Sequence, residues 1–133
     1  MDYRLLAILA IIFWGLWGFM SKLLTRSTPV GAFALWATVA GILPVVLYAL
    51  GTGTFSWTKT APLSLLAGLV GSIATVCFYI ALQRGPASVV VPLSGMYILI
   101  PALLGYLFLK EPLTLSHIMG LICAALALLF LTR

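Results

Sequence analysis

Asp2, Arg4, Lys22, Arg26, Lys59, Arg84, Lys110, Glu111 and Arg133 are the only charged residues in the 133, and the stretches between them run uncharged for 17, 32, 24, 25 and 21 residues. A helix crosses a hydrocarbon core with about 17 to 25 apolar residues, so each stretch is long enough for one crossing. A soluble domain carries about 25% charged residues; this chain carries 7%, against 64% hydrophobic, too few charges to coat a surface facing water. The apolar runs are continuous, without the alternation of a membrane β-barrel. The sequence predicts an all-α membrane protein, a bundle of five transmembrane helices forming a single domain over residues 1–133.

The predicted spans are Leu5–Leu24, Val30–Leu50, Ala61–Leu82, Ala87–Leu109 and Leu115–Leu131. Turn-forming pairs mark the cuts: Thr28-Pro29, Gly51-Thr52-Gly53, Ala61-Pro62, Gly85-Pro86 and Glu111-Pro112. Gly15, Trp17 and Met20 do not resemble a small-residue cleavage site, so the first segment is read as a permanent span rather than a signal peptide.

Net charge is +5, but the cations are scattered singly, without the cluster that nucleic acid would need. They flank spans instead. Five crossings put Arg4, Lys59 and Lys110 on one side and Lys22, Arg26, Arg84 and Arg133 on the other, three against four. Because an excess of Lys and Arg on the cytoplasmic side sets orientation, this near balance fits dual topology, in which an inverted copy pairs with the first as a homodimer; a single fixed topology stays open beside it.

At about 100° per residue, Ser64, Gly68, Gly71, Ser72, Thr75, Tyr79 and Gln83 share one face of the third span. Ala37, Gly41, Pro44 and Tyr48 repeat the pattern in the second, Trp14, Trp17, Gly18 and Ser21 in the first, and Ser94, Tyr97, Pro101 and Gly105 in the fourth. Such faces turn toward other helices, since small residues permit close approach and hydroxyls find partners there. They serve either packing or a substrate path. Pro44, Pro92 and Pro101 cannot donate to Ala40, Ser88 and Tyr97, which marks either kinks or the wall of a pathway. In the fifth span Gly120, Ala124 and Ala127 make a small stripe without a polar group, suited to dimerisation or packing.

No carboxylate lies inside a span, so any proton coupling falls to Glu111 or His117 at the ends, or to an unconventional carrier. Glu111 is expected to cap the fifth span or pair with Lys110, and His117 to be interfacial. Cys77 and Cys123 lie in apolar runs, giving neither a disulfide framework nor a metal site. There is no catalytic triad and no phosphate loop. The expectation is a protein that is no enzyme and needs no cofactor.

Trp14-Gly15 with Lys22 eight residues after the Trp, Tyr79-Ile80-Ala81-Leu82 followed by Ala87-Ser88, and Glu111 followed by Gly120 and an apolar helix occur here in order. With these the chain resembles the EamA family of the drug/metabolite transporter superfamily over nearly its whole length. It departs at Trp17 and Trp36, where the family often has Asn and Arg. Family members commonly contain two five-helix halves in opposite orientations, so the resemblance implies one half working as a dimer. The related small multidrug resistance proteins use a Glu in the first helix; none stands there in this chain, and their proton antiport is not implied.

The function expected is export or transport of a small amphipathic or hydrophobic metabolite by alternating access, as an antiparallel homodimer in the inner membrane of a bacterium or archaeon. Trp14, Trp17, Ser72, Thr75, Tyr79, Ser94 and Tyr97 are the candidate substrate path, with aromatics to stack and hydroxyls to orient. The alternatives are a non-transporting subunit or one half of a heterodimer with a related chain, and a component of a lipid-linked substrate flippase.

Overall fold

The computed structural model describes residues 2–54, 56–112 and 114–131; Arg133, counted above among the cations, lies outside them. Among the described residues every regular element is helical: α1 (Tyr3–Leu24), α2 (Val30–Gly51), α3 (Ala61–Arg84), α4 (Ala87–Gly95), a 3-10 turn (Met96–Ile98), α5 (Leu99–Phe108) and α6 (Leu115–Leu131). The segments Tyr3–Leu24, Val30–Gly51, Ala61–Arg84 and Ala87–Phe108 are long and apolar enough to cross a membrane. The 17 residues of α6 reach the lower end of the spanning range. Tyr79 and Leu82 are the only large apolar side chains buried among the described residues. Most of the others face outward, an arrangement suited to acyl chains and untenable in water.

The chain divides into two compact units at Arg84–Gly85. In the first, α1 opens on Asp2, whose carboxylate accepts the Arg4 amide at 3.1 Å. The contacts of α1 with α3 gather at the carboxyl ends of both helices, where Gly18, Ser21 and Thr25 on α1 are buried together with Tyr79 and Leu82 on α3. Residues spaced i, i+3, i+7 share one helix face, and the small side chains of this one let α3 approach closely. The buried hydroxyls need partners in such a place: Ser21 donates to the Trp17 carbonyl and Thr25 to the Ser21 carbonyl, each at 2.7 Å.

In the second unit the fourth span is interrupted, whereas the sequence suggests one helix from Ala87 to Leu109. The break has a local cause. Pro101 leaves the Tyr97 carbonyl without its donor, Pro92 does the same to Ser88, and Gly95 between them has poor helix propensity. The backbone tightens to a 3-10 turn there, with the Leu99 amide bonded to the Met96 carbonyl. Pro44 causes no such interruption, and α2 runs through it.

The end of α5 closes on a left-handed residue. Lys110 has φ 55°, and the Glu111 amide returns to the Gly105 carbonyl at 3.2 Å, alongside the Leu109 amide at 3.0 Å. The Glu111 bond runs seven-to-one, one residue longer than the Schellman closure, around a left-handed position that is more often Gly. The expected cap role of Glu111 is corrected here: Thr114 Oγ1 accepts the His117 amide of α6 at 3.3 Å, and the Glu111 side chain folds back against Gly105 on α5. No ion pair joins Glu111 to Lys110 among the described residues.

Candidate functional site

A groove of about 930 Å³ runs between α2 and α3 in the first unit. Small residues make it: Gly31, Ala34 and Gly41 from α2 face Gly68 and Gly71 from α3. A Cβ added at Gly31, Gly41, Gly68 or Gly71 would meet nothing within 4 Å, so the space over them is open. Leu35, Ile42, Val45 and Val76 supply apolar wall, and Thr38, Ser72 and Thr75 the hydroxyls.

Those three hydroxyls share a geometry. Thr38 donates to the Ala34 carbonyl at 2.8 Å, Ser72 to Gly68 at 2.9 Å and Thr75 to Gly71 at 2.9 Å. With each proton directed to its own helix four residues back, the oxygen lone pairs are what remain for a ligand. Among the described residues, the lining of this groove carries no charge and no ring N–H. Its chemistry is that of an apolar trough with three hydrogen-bond acceptors.

Trp17 and Tyr79 belong to a different cluster, between α1 and α3. The Trp17 ring stacks on Phe78 at 5.2 Å and lies 5.8 Å from Tyr79, while Phe33 of α2 meets Tyr79 edge-on at 4.7 Å. Tyr79 is 2% exposed, with Trp17 and Ser21 flanking its phenol. Trp17 also lines a crevice of about 390 Å³ with Phe13, Leu16, Met20, Phe33 and Ala37. Trp14 is 61% exposed and belongs to the lining of neither space.

Of the candidate path residues, then, Ser72 and Thr75 come together in the groove, Trp17 and Tyr79 come together in the aromatic cluster, and Trp14 stands apart. Ser94 and Tyr97 lie in the second unit. Ser94 donates to the Val90 carbonyl of its own helix, and Tyr97, in the 3-10 turn, is 54% exposed. The α6 stripe divides as well: Ala124 shares the half-buried face with Leu121 and Leu128, whereas Gly120 and Ala127 are exposed. Gly31, Ala34 and Thr38 are groove residues that the stripe reading of α2 misses. Their small side chains recur at i, i+3 and i+7, a signal rotated by about one residue from the Ala37, Gly41, Pro44 set.

An uncharacterised protein of Methanocaldococcus jannaschii is 28% identical to the chain over 130 residues, which cover 96% of this chain and 94% of that one. No solved structure matches the chain. The pattern of the EamA-like transporter family matches residues 3–133, from the first turn of α1 through α6. Apolar helices of spanning length, small-residue faces between them and a family match along all of them agree: this is a multi-pass integral membrane protein, and it belongs to the EamA-like transporter family.

Proposed function

We propose that the chain is one half of a transporter that moves a small amphipathic or hydrophobic metabolite across the inner membrane of a bacterium or archaeon by alternating access, working as an inverted homodimer. The observation that carries this reading is the open α2–α3 groove, in which glycines clear a space and Thr38, Ser72 and Thr75 present acceptor oxygens. Such a trough suits a neutral molecule with an apolar body and an O–H or N–H group. A trough open along its length needs a second wall before it can enclose anything. A copy in the opposite orientation supplies one, and it generates from a single short chain the inverted repeat on which many transporters are built. The three-to-four division of Lys and Arg offers the insertion machinery little bias against this.

The test uses reporters of cytoplasmic and of external location, each fused after Arg133 and compared in the same cells. Comparable signals from both support the inverted homodimer. Signal from only one fusion means a fixed orientation and sinks it, leaving a pairing with a different, oppositely inserted chain. Purified protein in liposomes, assayed for uptake against a panel of neutral amphipathic metabolites, then identifies the cargo.

A further inference from the structure

We propose that the chain has a second binding site, in the second unit, where the groove between α5 and the start of α6 takes a protonated amine with an apolar tail and the Glu111 carboxylate is the counter-ion. This groove measures about 550 Å³, and its lining divides by chemistry: Ile98, Ala102 and Leu121 are apolar, while Glu111, Ser116 and His117 are polar. Among the described residues no Lys or Arg lines it.

Gly105 seats the carboxylate. A Cβ at that position would stand 2.9 Å from Glu111 Oε2 and 3.5 Å from Cδ, whereas at Gly71, Gly95 and Gly120 a Cβ would meet nothing within 4 Å. The absence of a side chain at Gly105 is therefore what lets the carboxylate lie against the last turn of α5. Helix carbonyls near that end lack amide partners and carry partial negative charge. A carboxylate resting there adds charge of the same sign, and no described residue of the lining carries the complementary charge, which a cation from outside supplies.

The donor count fits a primary amine. Its protonated form has three N–H donors, and the groove supplies a carboxylate, the Ser116 hydroxyl and the His117 ring as partners. From Gly105, where the carboxylate lies, back to Ile98 the chain rises about 10 Å at the helical pitch, which accommodates a short apolar tail along Ile98, Ala102 and Leu121. The ammonium has two possible sources of one chemistry, a free amphipathic amine or the ethanolamine headgroup of a lipid. This site is separate from the α2–α3 groove and does not depend on the transport reading.

Equilibrium binding of radiolabelled 2-phenylethylamine to the full chain in phosphatidylcholine nanodiscs tests the assignment, with empty nanodiscs as the blank. Saturable binding is expected, weakened roughly tenfold or more by Glu111→Gln with an unchanged melting temperature, and weakened also by Gly105→Ala. The neutral isostere 2-phenylethanol should bind more weakly and be indifferent to Glu111→Gln. If Gly105→Ala fails to fold, Glu111→Gln alone decides. Replacing half the lipid with phosphatidylethanolamine separates the sources: competition that Glu111→Gln removes points to the headgroup, and no competition points to the free amine. Absence of saturable binding, equal binding by Glu111→Gln, or equal binding of the alcohol overturns the proposal.

Discussion

The ammonium of Lys22 donates to the carbonyl of Leu82 across 2.6 Å. In a helix continuing past Arg84 that carbonyl would accept the amide of residue 86, but residue 86 is proline and has none. Lys22, from the last turn of α1, supplies the missing donor. The bond is charge-assisted, and it places a cation at the carbonyl end of α3, where the helix favours one. The Lys that follows Trp14-Gly15 in the sequence thus fastens α1 to α3.

Replacing Lys22 by Met should therefore lower the stability of the purified protein by about 1.5–3 kcal/mol, the range for a hydrogen bond to a charged group. Lys22→Arg, which keeps a donor and its charge, should retain most of it. Denaturant titration in detergent micelles, followed by tryptophan fluorescence, measures both. Equal midpoints for Lys22→Met and the unaltered protein would show that the bond adds nothing.

Tyr79 packs against Phe33, Trp17 and Phe78 on three sides. Truncation to Ala removes all three ring contacts and leaves a void at the junction of α1, α2 and α3, at a cost of about 3 kcal/mol. Tyr79→Phe keeps the rings and loses only the hydroxyl beside Trp17 and Ser21, so its cost should be nearer 1 kcal/mol. The same titration ranks the two variants, and a Phe variant as unstable as the Ala variant would mean that the hydroxyl, not the stacking, holds the junction.

Much of the backbone was written in the spacing of charges and breakers. Arg26 to Lys59 and Lys59 to Arg84 leave room for α2 and α3, and Pro29, Gly53 and Pro86 mark where they start or stop. Facing is harder to read, because a helix with apolar residues all round does not say which side meets a neighbour. Ser72 and Tyr79 fall on one stripe of α3, yet Ser72 lines the open groove toward α2 while Tyr79 is buried where both α1 and α2 reach it. Prolines had the same ambiguity: Pro92 and Pro101 bracket Gly95 and the helix yields there, whereas Pro44, with Gly41 near it but no second proline in its helix, leaves α2 continuous. The Lys22–Leu82 bond joins residues 60 apart in sequence, and no local pattern announces a contact of that range.

The α2–α3 groove makes a prediction about glycine. Because nothing lies within 4 Å of a Cβ built at Gly71, Gly71→Leu should fold without strain inside the chain while filling the trough between Ser72 and Thr38. Leucine is also the better helix former, by up to about 1 kcal/mol. The expected result is an unchanged or raised unfolding midpoint together with loss of uptake into liposomes. Retained uptake would take the groove out of the path.

Charge placement gives the last test. Ser27 follows Arg26 on the side that holds Lys22, and Ser56 precedes Lys59 on the opposite side. With Lys and Arg divided three to four, Ser27→Lys makes the division three to five and Ser56→Lys makes it four to four. Since cytoplasmic retention follows the excess of positive residues, Ser27→Lys should drive the carboxyl terminus toward the cytoplasm and Ser56→Lys should shift it outward. Reporters fused after Arg133 read the ratio of the two orientations. If the chain works as an inverted pair, Ser27→Lys alone should lose transport because one orientation becomes scarce, and co-expression with a chain carrying Ser56→Lys together with Arg26→Ala, divided four to three, should restore it. Full transport from a population held in one orientation would remove the inverted pair from the mechanism.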